Sequence, residues 1–326
     1  MTATEVAPAT QLDELLLDPK GPKVAALGGG HGLSITLEAL QSYASEITAV
    51  VAVADDGGSS GRLTTGLGVP PPGDIRRCLL ALTPDPSVWS ELFAYRFQAG
   101  DIEDHSLGNL LLAALTDLTG DFASAVELAG RLLRTVGKVI PAANEPAILT
   151  ATIGGRVIAG QAAITKARGG VTTMALGPVG ISANPNALAA IASADQIVLG
   201  PGSLFTSLMA VLMVPGIVDA WKSSKASKVF VLNLLGQDGE TLGLDGAGHL
   251  AALADMAGVT GPGTVLGQEG TFPVPPGVAA VAVGVDEAAR YGWDLVTADL
   301  CDLAPDWPAH EPMALGRALA ELALRS

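Results

Sequence analysis

Asp55 and Asp56 stand at the end of an apolar, β-branched run, Ile47 to Ala54, and are followed at once by Gly57-Gly58-Ser59-Ser60-Gly61-Arg62. Glycines let a backbone wrap closely around a ligand, and acids mixed with arginines suit one that carries both hydroxyl and phosphate groups. The two carboxylates sit where an acidic residue of a Rossmann-like unit meets ribose hydroxyls, roughly 20 residues past a glycine turn. The same pair could hold a hydrated magnesium between ligand phosphates. Ser59, Ser60 and the N–H groups around them are expected to form an anion-binding nest. Solvated turn carboxylates are the plainer alternative.

The segment from Gly57 to Gly61 also matches the G-x-S-x-G of serine hydrolases. A nucleophile elbow places its serine on a sharp turn from strand directly into helix. Asp55 to Gly58 intervene here, and a glycine- and proline-rich stretch over 62–74 follows where a helix is required. The hydrolase reading is therefore set aside.

Four other segments carry polar residues at places where a ligand can be held. Gly28-Gly29-Gly30-His31-Gly32 lies between a strand and a helix, where free N–H groups and the helix dipole favour phosphate. Its spacing is not G-x-G-x-x-G, and no P-loop lysine follows. Pro70-Pro71-Pro72-Gly73-Asp74-Ile75-Arg76-Arg77 starts a helix with Asp74 as the expected N-cap and Arg76 as a phosphate contact. His105-Ser106-Leu107-Gly108-Asn109 opens another helix. A capping role suffices for Ser106, whereas His105 and Asn109 flank the helix start. Gly200-Pro201-Gly202-Ser203-Leu204-Phe205-Thr206-Ser207 reads as a second strand-to-helix anion loop, and Asn233 ends the next apolar strand facing the same crevice.

The elements that must position these residues alternate between strand and helix. Val24 to Leu27 reads as a buried strand, Leu33, Leu37, Leu40 and Ala44 mark one helical face, and Ile47 to Ala54 is a second strand. This is a βαβ unit with a right-handed crossover. Helical spacing recurs over Ile75–Leu82, Val88–Phe97, Leu107–Leu118 and Ala123–Val136, which suggests a helical subdomain at about 75–137. Ala147–Ile153 and Arg156–Lys166 flank Gly154-Gly155 as a β-hairpin. Strands are expected at Thr172–Leu176, Gln196–Leu199 and Lys228–Leu234, with helices at Asn186–Ala194 and Leu204–Val214. Val278–Val285 and Asp294–Cys301 would extend the sheet. The fold class is α/β: a Rossmann-like, mostly parallel sheet, with a flexible tail at 1–22 and one domain over 23–326.

The chain has 326 residues, 49% hydrophobic, and a net charge of -15. That charge argues against nucleic acid and against an anionic membrane surface as partners. Cys78 and Cys301 are too few and too isolated for a disulfide framework and fit a reducing compartment. No signal peptide is visible, and Gly200-Pro201-Gly202 breaks the uncharged stretch Ile197–Val218 below the ~20 residues a bilayer span needs. A cytoplasmic homo-oligomer is expected.

GGGHGL, ADDGGSSGRL, PPPGDIRR, HSLGNLLLAALT and LGPGSLFTS, in this order, closely resemble the YvcK-type gluconeogenesis factors of the CofD-like superfamily, which includes 2-phospho-L-lactate transferase. The resemblance covers Lys23 to roughly Met256. It implies binding of UDP-glucose and UDP-N-acetylglucosamine, and a role, with cell-wall synthesis partners, in cell shape during growth on gluconeogenic carbon sources. Carried over by position, Gly28 to Gly32, Asp55, Asp56, Ser59 and Arg62 line the nucleotide end. His105, Ser106, Asn109, Gly202, Ser203 and Asn233 approach phosphate or sugar. His31 stands where family members often have threonine, and Arg77 where they have asparagine. The stretch NLLGQDGE from Asn233 lacks the threonine and proline of the similar family segment.

The first reading is thus a nucleotide-sugar-binding regulator without turnover, since no nucleophile and base pair is evident in the sequence. The alternative is transfer of a phospholactyl-type group to a deazaflavin acceptor, with magnesium at Asp55 and Asp56. A nicotinamide-dependent oxidoreductase is disfavoured by the glycine spacing.

Overall fold

Burial of the run after Lys23 on both faces makes it the centre of the molecule. The computed structural model describes residues 21–304 and 307–325, so the tail expected over 1–22 lies outside the described residues except for Gly21 and Pro22. The elements are β1 (Lys23–Gly28), α1 (Gly30–Leu40), β2 (Glu46–Val51), α2 (Gly58–Leu67), α3 (Gly73–Ala81), α4 (Val88–Ala94), α5 (Leu107–Thr119) and α6 (Phe122–Leu133). There follow β3 (Lys138–Pro141), β4 (Ile148–Ile153), β5 (Arg156–Ala159), α7 (Gln161–Ala167), β6 (Val171–Gly177), α8 (Pro185–Ser193) and β7 (Gln196–Leu199). The chain continues with α9 (Leu204–Leu212), α10 (Ile217–Ser223), β8 (Ser227–Val231), α11 (Gly246–Ala257), β9 (Gly263–Gln268), α12 (Val285–Arg290), β10 (Trp293–Ala298) and α13 (Pro312–Leu324).

Seven strands form one sheet in the order β10-β9-β8-β7-β1-β2-β3, and every pairing in it is parallel. This is the Rossmann-like α/β sheet read from the sequence. Every residue of β7, and all of β1 after Lys23, is buried, as parallel strands covered on both faces require. Helix α1 packs against α3 and α13. The fully buried Gln196 is satisfied by the Tyr43 hydroxyl and by the Leu319 carbonyl, which ties α13 to the sheet. Helices α3 to α6 share the same apolar core through Ile75, Leu79, Phe93, Leu112, Phe122 and Val126.

β4 and β5 form the expected hairpin around Gly154 and Gly155, both at positive φ. With β6 they make a separate antiparallel sheet in the order β5-β4-β6. Three expectations fail. The second hairpin strand stops at Ala159, because Gly160 at φ 95° turns the chain into α7. The glycine-rich stretch after Gly57 does form a helix, α2, closed by Gly68 in the left-handed region. Val278–Val285 adds no strand: Ala280 makes one bridge to Leu235, and Val285 already starts α12. Among the described residues no single helix is long and apolar enough to cross a membrane, and α9 and α10 meet at 74°.

His310 is buried with its Nε2 unpartnered, and burial pushes the imidazole down to about 4 against a bond to the Leu232 backbone. A depressed histidine pKa means that stability is fully present above the unfolded value near 6.5 and is lost as pH falls toward 4, by about 3 kcal/mol in total. Urea unfolding of His310→Gln across that window is expected to lack this contribution, so that the variant's stability rises less with pH than the parent's. An unchanged slope would refute the assignment.

Candidate functional site

The sheet order reverses between β1 and β7, so the loops leaving their C-terminal ends share one crevice, the usual ligand position in an open α/β fold. The two loops meet as the sequence predicted. A β-carbon on Gly32 would run into the Pro201 carbonyl, and one on Gly202 would lie 3.5 Å from the Gly32 Cα. Asn233 does not reach for a ligand: its Oδ1 accepts from the Gly202 N–H at 2.7 Å, and its Nδ2 donates to the Gly202 carbonyl at 2.8 Å. Gly200 packs against Leu33 and Thr36.

The expected anion loop at Gly200–Ser207 is filled from within. The half-buried Glu240 carboxylate accepts from the Phe205 N–H at 3.3 Å and from the Thr206 and Ser203 hydroxyls. Burial raises its pKa, and those hydrogen bonds oppose the rise. Ser203 and Thr206 therefore serve an internal carboxylate at the start of α9.

At the first glycine loop the same device recurs with Asp74. This residue is the second of α3, with Pro72 as N-cap, so it does not cap its own helix. Its Oδ1 accepts from Arg77 Nη1 at 2.7 Å and its carboxyl also takes the Gly30 N–H. A β-carbon on Gly29 would meet Asp74 Oδ2, and one on Gly73 would lie 2.8 Å from Asp55 Oδ2. The glycines thus let Asp55 and Asp74 close on a common floor. Burial, then repulsion from Asp55, raises the Asp74 pKa to about 6. Asp56 faces elsewhere, its Oδ1 accepting from the Ala162 N–H at 2.8 Å. The carboxylate pair is therefore Asp55 with Asp74, not with its sequence neighbour Asp56. Among the described residues no group of three or more potential metal ligands occurs, so a magnesium here would complete its shell with water and ligand phosphate oxygens. Two neighbouring carboxylates, Asp55 and Asp74, are oxygen donors that fit such an ion.

Asp55 Oδ1 also accepts from the Gly57 N–H at 2.9 Å, immediately before α2. Among the described residues the N–H groups of Gly58, Ser59 and Ser60 have no protein acceptor. They form the one expected anion nest that no internal carboxylate fills. Ser60 is buried at Gly73 beside Asp55.

A second helix start, that of α5, meets α2 through side chains. Ser59 Oγ lies 3.0 Å from His105 Nδ1 and 3.2 Å from Asn109 Nδ2. Arg76 is buried and donates through Nε to Asn109 Oδ1 at 3.0 Å and through Nη1 to the Phe93 carbonyl. Burial lowers its pKa to about 10, so it stays charged at neutral pH. Ser106 does not cap α5, since its hydroxyl donates to the Phe93 carbonyl. Arg62 donates to the Glu103 carbonyl at 2.8 Å, and His31 is exposed on α1, acting on Glu38.

The crevice opens into a cleft of about 710 Å³ lined by Asp55, Gly57, Gln161, Thr165, Lys166 and Asp238 among others, within the range of small-molecule sites. Arg168, which also lines it, pairs with Asp238 at 2.8 Å. Sequence reasoning missed this wall because it read α7 as strand.

The 2-phospho-L-lactate transferase CofD family matches residues 24–289. A gluconeogenesis factor of Halalkalibacterium halodurans is 45% identical over 242 residues, 74% of this chain and 75% of that protein. The gluconeogenesis factor of Bacillus subtilis is 43% identical over 254 residues, 77% of this chain and 80% of that protein. A relative from Nostoc is 46% identical over 241 residues, and this chain spans about half of its length, 53%. A crystal structure of a UPF0052 family member from Bacillus halodurans matches with a TM-score of 0.86 at 38% identity, covering 90% of this chain and 98% of that one. Crevice, glycine loops and sequence agree, and the chain belongs to the CofD family, in its gluconeogenesis-factor (YvcK, UPF0052) branch.

Proposed function

We propose that the crevice binds a nucleoside diphosphate sugar, UDP-glucose or UDP-N-acetylglucosamine, and that its occupancy regulates cell shape and wall synthesis on gluconeogenic carbon sources. The observation that carries this reading is the row of unpartnered N–H groups at Gly58, Ser59 and Ser60 beside the Asp55–Asp74 pair. A diphosphate needs both features: amides for its oxygens, and carboxylates for the cation that accompanies it. Magnesium bound by Asp55 and Asp74 would neutralise part of the diphosphate charge. The uridine and the sugar rest on the family alone, as do a cytoplasmic location, self-association and cell-wall partners.

Calorimetric titration with each UDP-sugar in the presence of magnesium tests the proposal. Asp55→Asn is expected to weaken binding about tenfold or more, the loss of one charge-assisted contact, while the melting temperature stays near that of the parent. Absence of heat and of any thermal shift at millimolar ligand would sink the reading.

The Asp55–Asp74 pair also favours a second one, transfer of a phospholactyl-type group from a nucleotide-activated donor to a deazaflavin. Mass spectrometry of protein, magnesium, donor and acceptor incubated together decides it by presence or absence of product.

A further inference from the structure

Arg76, Asn109, Ser59 and His105 form a file of hydrogen bonds whose direction is fixed from its first member as far as Ser59. A guanidinium only donates, so the Arg76 Nε contact at 3.0 Å identifies the facing atom of Asn109 as its amide oxygen. The Asn109 NH₂ group must then be the one 3.2 Å from Ser59 Oγ, and it donates to that oxygen. Ser59 Oγ can accept twice, and the remaining contact, 3.0 Å to His105 Nδ1, runs from serine to histidine when the imidazole carries its proton on Nε2. Nδ1 accepts only in a neutral imidazole. Burial, then the charges of Arg62 and Arg96, hold His105 below the usual histidine range. All four side chains of the file are buried. A serine hydroxyl donating to a neutral imidazole nitrogen at this distance is how an activated nucleophile meets its base.

The surroundings suit a phosphorus electrophile. Ser59 is the second residue of α2, next to the unpartnered N–H groups, and Arg62, Arg76 and Arg96 all raise the local positive potential. Among the described residues Arg76 has no carboxylate within ion-pair distance. The turn that aims Ser59 is built for close approach: a β-carbon on Gly61 would run into the Asp56 carbonyl. The G-x-S-x-G match set aside on sequence thus acquires the base it lacked, although Ala52 to Gly57 still separate strand from helix and no hydrolase elbow exists.

We infer that Ser59 is a nucleophile, with His105 as its general base, that attacks one phosphorus of a nucleoside diphosphate ester bound in the crevice. The electrophile rests on the ligand reading above; the serine–histidine pair does not. In this step the Ser59 Oγ–P bond forms while the bridging P–O bond breaks. The departing phosphate keeps the bonding electron pair, and the serine proton passes to His105 Nδ1. The α2 N–H groups face the charge that develops on the phosphorus oxygens.

An alkyl fluorophosphonate tests the pair directly, because its P–F bond is broken by the same attack with fluoride as leaving group. The full chain is treated, digested and read by mass spectrometry, with adjacent Ser60 as the internal control. An adduct on Ser59 and not on Ser60 is expected, with a labelling rate about 100-fold lower in His105→Gln. Asn109→Asp is the second variant: it keeps the Arg76 contact, but a carboxylate only accepts and draws the Ser59 proton away from His105. Its labelling rate should also fall, with the circular dichroism spectrum unchanged. No Ser59 adduct, equal reaction at Ser60, or His105→Gln labelling as fast as the parent would each overturn the pair. Saturating UDP-N-acetylglucosamine should protect Ser59; undiminished labelling despite measured binding heat would overturn the diphosphate as electrophile. Labelling without any binding heat would instead retain the pair and sink the ligand reading.

Discussion

Asp74→Asn is expected to raise the melting temperature at neutral pH and to remove the stabilisation that magnesium gives in the presence of nucleotide sugar. Burial and the Asp55 charge raise the Asp74 pKa from 3.8 to about 6 in the folded protein. A raised carboxyl pKa means that the contribution to stability is greatest below the unfolded value and is lost as pH rises through the folded one. Above pH 6 the ionised carboxyl therefore costs about 3 kcal/mol. Asparagine keeps an oxygen for the Gly30 N–H and carries no charge. What it loses is the pair with Arg77, whose side chain is 45% exposed, worth about 0–1 kcal/mol. The net gain corresponds to roughly 5 °C. His310 slopes the opposite way over an overlapping window, so the parent should look nearly flat between pH 4 and 6.5 while the variant shows the histidine slope alone. Thermal melts with and without magnesium measure both effects. A lower melting temperature with the magnesium response intact would refute the Asp55–Asp74 assignment.

Gly32→Ala should be a severely damaging single-methyl change where the two loops meet. The atoms that its β-carbon would strike are the Pro201 carbonyl group and the Gly202 nitrogen, all backbone, so no side chain can swing aside. The loops after β1 and β7 must separate, which also strains the Asn233 clamp on Gly202. A loss of about 3 kcal/mol is expected, together with loss of nucleotide-sugar binding. Gly66→Ala is the matched control. Gly66 lies within α2 with nothing within 4 Å of its β-carbon position, so alanine there should stabilise by up to about 1 kcal/mol. Urea unfolding compares the two; equal stability would mean that the loops are not packed as described.

The β1–α1–β2 unit and the convergence of two glycine loops were legible because each is local: an apolar run, a cluster of glycines, then helical spacing. Helix α2 was hidden by its composition. Three glycines in GSSGRLTTGL each cost helix propensity, and the helix holds through packing of Leu63 against Val69 and Ala113. Helix α7 was hidden in the same way by a hairpin signal that was correct only as far as Ala159. Side-chain partners were the least accessible. Nothing near Asp55 in sequence reveals that Asp74 is its neighbour, that Asp56 turns to Ala162, or that Glu240 reaches back to Phe205 and Thr206. The Ser59–His105 contact spans 46 residues. Local pattern announces which residues are polar at strand ends, but the tertiary fold decides whether each one faces a ligand or another part of the chain.

Glu240 gives the crevice a handedness. Because α9 already carries its own permanent counter-ion, and α1 is stoppered by Asp74, the proposed diphosphate would find its open berth at α2 rather than at either of those helix starts. A diphosphate docked as proposed would have no symmetrical choice of which end to present: its charged middle would lie toward Gly58, and whatever it carries beyond that would extend along the wall made by Gln161, Thr165 and Lys166.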